Sequence, residues 1–167
     1  IADYVLQHTK GSTVSNLSST KALKDITEKY GCEYFGSAVG EVNVVTKMKE
    51  VNAVIGGEGN GGIIVPTLHY GRDALIGITL FLSYMAESKK TPKQIRNQYP
   101  NYFISKNKIE LDGSDVNKVF DYIQTKYKNN PINKEDGLKI EFDNDWVHLR
   151  VSNTEPIIRI YAESNLE

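Results

Sequence analysis

Apolar residues recur along the first hundred positions in two alternating patterns. Ile1–Leu6, the spacing Ala22, Leu23, Ile26, Tyr30, and Val42–Lys49 have helical character. Between them, Thr13–Leu17, Cys32–Phe35 and Ala53–Ile55 are short runs of strand character, the last fully apolar, as suits a parallel sheet covered on both faces. Ser18 or Ser19 is placed to cap the second helix, and Gly31 to end it in a left-handed turn. From Asp73 to Ser88 nearly every position is apolar, which predicts a helix buried on all sides. A short helix capped by Thr91 follows and stops before Pro100. The alternation predicts an α/β domain over residues 1–98. Such a sheet ordinarily has a strand before its first helix, so the expectation is a domain incomplete at its N-terminus, in a chain cut from a longer protein.

Beyond that boundary the rhythm changes. Strand (Tyr102–Glu110), amphipathic helix (Ser114–Tyr127) and three strands (Gly137–Phe142, Asp145–Val151, Ile157–Ala162) predict an α+β domain over residues 99–167. The helix carries Val116, Val119, Phe120, Ile123 and Tyr127 on one stripe, and Asp143-Asn144-Asp145 supplies hairpin chemistry. A domain this small has a limited core, so docking on a neighbour would stabilise it.

Composition narrows the setting. Of 167 residues 40% are hydrophobic and 25% charged, a globular profile, and the net charge of -1 provides no basic field for nucleic acid or a membrane surface. The single cysteine, Cys32, cannot form an internal disulfide and is expected as a small core residue at a strand start. No basic, apolar leader is visible, and the longest apolar run is too short to span a bilayer. A cytoplasmic setting is the expectation. There is no Cys/His array or metal-ligand cluster, and no nucleophile is identifiable by spacing.

Two loops concentrate polar chemistry. Arg150-Val-Ser152-Asn153-Thr154-Glu-Pro-Ile-Ile-Arg159 sets two guanidinium groups, two hydroxyls and an amide around a tight turn between strands. Phosphate has peripheral oxygens enough for so many donors, and arginine meets them with a planar fork. An ordinary turn with solvated arginines fits the same spacing. Gly56-Gly57-Glu58-Gly59-Asn60-Gly61-Gly62 has five glycines in seven residues after a strand. It leaves Glu58 and Asn60 as the functional groups, a pair suited to sugar hydroxyls, although a flexible hairpin or hinge fits equally. The spacing is neither a dinucleotide fingerprint nor a P-loop. Arg72, a cation near a helix start, hints at an anion or substrate contact. His69 is a candidate acid–base group or simply a hydrogen-bonded loop residue.

Taken together and in this order, the loops resemble the C-terminal half of the α-D-phosphohexomutases. Arg150 to Arg159 resembles that family's phosphate-binding loop, Gly57-Glu58-Gly59-Asn60-Gly61 its sugar-binding loop, and Val39-Gly40-Glu41 a third short segment. The glycine-rich form and Gly71-Arg72-Asp73 look most like an archaeal-type branch. The resemblance implies an α/β unit of the domain 3 kind followed by a TATA-box-binding-protein-like α+β domain 4. It implies phosphate binding by Arg150, Ser152, Asn153, Thr154 and Arg159, and sugar binding by Glu58, Asn60, Gly40, Glu41, His69 and Arg72. It also implies interconversion of hexose 1- and 6-phosphates through a hexose 1,6-bisphosphate and an enzyme phosphoserine. The phosphoserine loop and the Mg2+ loop would belong to upstream domains 1 and 2, so this part alone would be inactive. Asn60 stands where many members have Ser and Gly62 where many have His, and Ser37-Ala38 replaces the usual pair. His69 and Arg72 are left as candidates for the place of that His. The rival expectation is a non-catalytic phosphosugar-binding or protein-interaction module.

Overall fold

The computed structural model describes residues 1–111, 115–152 and 154–166. It divides into two compact units, Ile1–Asn101 and Tyr102–Glu167. In the first, β1 (Thr13–Asn16), β2 (Tyr34–Ser37), β3 (Ile55–Gly57) and β4 (Ile63–Ile64) form a sheet in the order β2-β1-β3-β4. β1 runs parallel to β2 and β3, and β4 returns antiparallel to β3. The helices are α1 (Ala2–His8), α2 (Ala22–Lys29), α3 (Glu41–Glu50), α4 (Ala74–Ser88) and α5 (Pro92–Arg96).

Alternation along β1 decides which helix meets which face. Val14 packs with Val44 and Met48 of α3. Its neighbour Thr13 points the other way, with Oγ1 2.6 Å from Thr27 Oγ1 on α2. Crossovers of one hand that leave β1 in one direction and return past it in the other place α2 and α3 on opposite faces. The strand order therefore reverses around β1, and the crevice at such a reversal opens beyond the carboxyl ends of β1 and β3.

A second cluster joins Tyr4 of α1, Tyr84 of α4 and Ile95 of α5. At its edge the Asp3 carboxylate, 8% exposed, accepts hydrogen bonds from Tyr30 (2.7 Å), Tyr84 (3.2 Å) and Tyr99 (2.6 Å). Burial pushes the Asp3 pKa up, but the three phenols together outweigh it and hold the group below its ordinary value. The Tyr30 phenol is correspondingly pushed up to about 12, by burial first and the carboxylate second.

Several sequence expectations shift here. β2 starts at Tyr34, so Cys32 precedes the strand and is only half-buried. β3 is Ile55–Gly57 rather than Ala53–Ile55, so two of the glycines belong to the ladder. Neither Ser18 nor Ser19 caps α2: its N-cap is Lys21, Thr20 Oγ1 accepts the Ala22 N–H, and Ser19 Oγ donates to Asn16. Gly31 does adopt the left-handed conformation, with φ 68°. α4 is not buried all round. Leu75, Ile78 and Leu82 are 76%, 56% and 56% exposed, and only Gly77 and Tyr84 are fully covered.

In the second unit β5 (Phe103–Glu110), β6 (Ile132–Asn133), β7 (Leu138–Glu141), β8 (Trp146–Val151) and β9 (Ile157–Ser164) make an antiparallel sheet in the order β5-β9-β8-β7-β6. The two-residue β6 is too short to show a period in sequence. α6 (Val116–Lys126) carries the expected stripe, but none of its residues is fully buried. The expected start at Ser114 lies outside the described residues. Trp146 is buried and donates its indole N–H to Glu163 Oε1 at 2.9 Å, across its own strand pair.

Candidate functional site

Glu58 begins the turn that closes the β3–β4 hairpin. Its N–H donates to Gly62 O and its carbonyl accepts the Gly61 N–H, each at 3.0 Å. The loop is thus a hairpin, and its tip stands at the β1/β3 crevice. There Asn16, the last residue of β1, donates Nδ2–H to Glu58 Oε1 at 3.1 Å, and Ser19 Oγ donates to Asn16 Oδ1 at 2.9 Å. On the other side Arg72 Nη1 lies 3.4 Å from Glu58 Oε2. The Glu58 side chain is only 6% exposed. Ser15, Ser19, Thr20 and Glu58 are among the residues lining a cavity of about 340 Å³ at this end of the sheet.

Arg72 is held from elsewhere. Its backbone N–H donates to Glu41 Oε1 (2.9 Å) and its Nε–H to Glu41 Oε2 (2.8 Å). Glu41 is the first residue of α3, after Gly40 at φ 121°. The Arg72 N–H, and then the guanidinium, keep the Glu41 carboxyl below its usual pKa. The Arg72 stem crosses directly over Gly62, where an added Cβ would lie 2.5 Å from Arg72 Cδ. The absence of a side chain at position 62 is what lets the arginine through. Glu41, Asn60, Gly62, Arg72 and Asp73 border a polar hollow of about 500 Å³.

Of the two residues weighed for the place of the family His, Arg72 reaches Glu58. His69 Nε2 instead meets Asp73 Oδ2 at 3.1 Å, and Asp73 caps α4 by accepting from Leu75 and Ile76 N–H. Asn60 Oδ1 accepts the Gly62 N–H at 3.1 Å and so shapes the turn. Glu41, Asn60 and Arg72 thus border one hollow, and Glu58, which lines the neighbouring cavity, is tied to it through Arg72; Gly40 lines neither. Asn16 and Ser19 complete the brace; in sequence Asn16 read only as strand and Ser19 only as a helix-cap candidate. The signal was there, since Asn16, Ser18, Ser19 and Thr20 lie at the carboxyl end of a strand, where α/β sheets bind ligands.

The second unit holds the arginine cluster. Arg150 and Arg159 are direct cross-strand partners on β8 and β9. Like charges directly opposite destabilise a ladder unless an anion lies between or beside them. Here carboxylates do that. Asp136 flanks Arg150 Nε at 3.1 and 3.0 Å, and Glu155 Oε2 accepts from Arg159 Nη2 at 2.9 Å. Asp136 is brought in by Gly137, whose φ of 85° and contact with β8 leave no room for a side chain: an added Cβ would sit 2.2 Å from Leu149 O. The Asp136 carbonyl also meets His148 Nε2 at 2.6 Å, and burial lowers the pKa of that histidine. Because Asp136 takes Arg150 through Nε, both Nη groups of Arg150 make no hydrogen bond among the described residues. In the loop, Thr154 N–H donates to Ser152 Oγ at 3.4 Å, and Ser152 N–H to Ile157 O at 3.0 Å. Asn153 lies outside the described residues.

Among the described residues no group of three or more His, Cys, Asp and Glu is placed to hold a metal ion. No helix of the described residues is long and apolar enough to cross a membrane.

An α/β unit whose strand order reverses at β1 is thus followed by a unit built on an antiparallel sheet. Residues 1–102 match the family model described as phosphoglucomutase/phosphomannomutase, alpha/beta/alpha domain III, and residues 105–167 match its C-terminal domain. The chain belongs to the phosphoglucomutase/phosphomannomutase family. A phosphoglucomutase/phosphomannomutase of Thermococcus kodakarensis is 36% identical over all of this chain and 37% of its own length. A phosphoglucosamine/phosphogalactosamine mutase of Sulfurisphaera tokodaii is 31% identical over 92% of this chain and 34% of its own. The crystal structure of a phosphoglucomutase/phosphomannomutase family protein from Burkholderia thailandensis has the same fold, with a TM-score of 0.79 at 22% identity, over 99% of this chain and 36% of that one. The chain thus spans little more than a third of the length of these relatives.

Proposed function

We propose that this chain is the sugar- and phosphate-holding part of a phosphohexomutase that interconverts hexose 1-phosphate and hexose 6-phosphate. The observation that carries the reading is the β8–β9 hairpin, where two arginines face each other across the ladder and are oriented by carboxylates. Phosphate at the hairpin tip would take the two Nη groups of Arg150, the Ser152 and Thr154 hydroxyls and the Arg159 fork. Glu155 would yield Arg159 to the incoming dianion, whose greater charge makes it the stronger acceptor. Glu58 has two lone-pair sites beyond those facing Asn16 and Arg72, enough to accept from adjacent sugar hydroxyls.

Such a clamp grips phosphate while reading little of the sugar. A hexose phosphate can then bind in either orientation, as an exchange through a hexose 1,6-bisphosphate requires. The phosphoryl donor, a phosphoserine, and the Mg2+ would be supplied by upstream domains. The contribution of these residues is to bind and orient. A cytoplasmic setting fits a metabolic enzyme of this kind.

The test is an amide NMR titration of the 167-residue chain with glucose 1-phosphate. Ser152 and Thr154 amides should shift, and the shift should vanish in Arg150→Ala. A methyl glucoside without phosphate should leave them unmoved. No perturbation at either loop would favour an interaction module and reject the proposal.

A further inference from the structure

Glu58 sits on a turn in which Gly59, Gly61 and Gly62 leave the backbone unusually free. A glutamate has three side-chain torsions, so its carboxylate needs outside support to hold one direction. Support on the Oε1 side comes from Asn16. On the Oε2 side it comes, among the described residues, through Arg72, a residue from a separate loop whose side chain is itself 47% exposed. An exposed arginine next to a carboxylate would ordinarily close on it as a bidentate fork and take up its acceptor sites. Here it does not. Glu41 engages both the Arg72 backbone N–H and Nε–H, so the residue is fixed at its root and at its head. The guanidinium stops 3.4 Å from Glu58, and Nη2 makes no hydrogen bond among the described residues.

We infer that Glu41 is a positioning residue that restrains Arg72, so that Arg72 orients the Glu58 carboxylate without consuming it. This rests on the proposed sugar-binding role of Glu58. Rigidity passes from the first turn of α3, through Glu41 to Arg72, and from Arg72 to the hairpin tip. Glu41 thereby serves the sugar through Arg72 and not by touching it. The departure at Gly62 belongs to the same device, because any side chain there would meet the Arg72 stem. Without Glu41 the arginine would swing onto Glu58 and compete with the sugar hydroxyls. Without Arg72 the Glu41 and Glu58 carboxylates would lose the cation that pairs with both.

The test uses the full-length enzyme that contains this sequence, with kcat/KM for glucose 1-phosphate and for mannose 1-phosphate, and Tm, as readouts. Glu41→Ala and Arg72→Ala should each lower kcat/KM by about 10- to 100-fold, the scale of a misplaced binding group, with Tm unchanged since both side chains are on the surface. Arg72→Lys should not rescue, since an ammonium cannot occupy the Nε and Nη1 positions together. In an Arg72→Ala background, Glu41→Ala should add no further loss. In a Glu58→Gln background, Arg72→Ala should add none either. Multiplicative losses in these backgrounds, rescue by lysine, or losses that follow a falling Tm would overturn the inference. If Glu58→Gln alone leaves kcat/KM intact, the sugar-binding role itself fails. A Glu58→Gln loss with additive Arg72 and Glu41 effects would overturn only the positioning device.

Discussion

Replacing Gly137 by alanine should destabilise the second unit selectively. Two costs combine. At φ 85° an L-residue is strained, by roughly 1–2 kcal/mol. The new Cβ would also stand 2.2 Å from Leu149 O and 3.0 Å from Arg150 Cα, which are backbone atoms of β8. They can retreat only by opening the ladder at Leu138↔Leu149, the pair that begins β7. Overpacking of this kind costs about 1–3 kcal/mol, so the sum is about 2–5 kcal/mol. A unit of this size holds on the order of 3–10 kcal/mol in total, so the loss is a large share. The chain has one tryptophan, Trp146, which is 2% exposed and lies on β8. Its fluorescence in a urea titration therefore reports this unit and not the other. With a slope near 1 kcal/mol/M, the midpoint should fall by about 2 M or more. A midpoint within about 0.5 M of the parent, at unchanged slope, would refute the claim that Gly137 is required for Asp136 to approach β8.

Three further outcomes follow from the same geometry. Arg150→Ala in the full-length enzyme should cost about 2 kcal/mol in kcat/KM, the worth of a charged hydrogen bond, and Asp136→Ala should cost less; steady-state kinetics on a hexose 1-phosphate decide this, and equal activity would reject the clamp. His148 is buried with its pKa lowered from 6.5, so the unfolded chain takes up its proton first. Stability of the second unit should therefore be full above that value, fall as pH drops through 6.5, and level off below the folded pKa. Trp146-monitored unfolding at several pH values should show that slope, and it should flatten in His148→Gln. Asp3→Asn leaves three phenols around a neutral acceptor, and should lower the thermal stability of the first unit by about 2 kcal/mol; far-UV circular dichroism melting that matches the parent would show the node to be unimportant.

Much of the architecture was legible along the chain. Period-2 and period-3.6 patterns are local consequences of backbone geometry, so β1, α3, α5 and the β7–β8–β9 order could be read without a partner in view. Both loops were legible for the same reason, because Arg, Ser, Thr and Glu among glycines and a proline carry their chemistry with them. What the pattern missed depends on neighbours far apart in sequence. Two residues form β6, and the strand exists only because β7 is beside it. An apolar run such as Leu75–Met85 predicts burial, but burial depends on what covers the helix, and Leu75, Ile78 and Leu82 are uncovered in this unit. Glycines read as loop, yet Gly56 and Gly57 pair within a ladder whose register is set by Ile63 and Ile64.

The sequence by itself therefore determined the kinds of element, their order and the two chemically loaded turns. These depend on torsional preferences and on donors and acceptors a few residues apart. Only the tertiary structure decided that Asn16 and Arg72 converge on Glu58 while Glu41 holds Arg72, and that Gly137 brings Asp136 to Arg150. Those pairings join residues 14 to 42 positions apart. Such distances along the chain carry no periodic signal, and hydrogen bonds at 3 Å exist only once the sheets have set which side chains share a face.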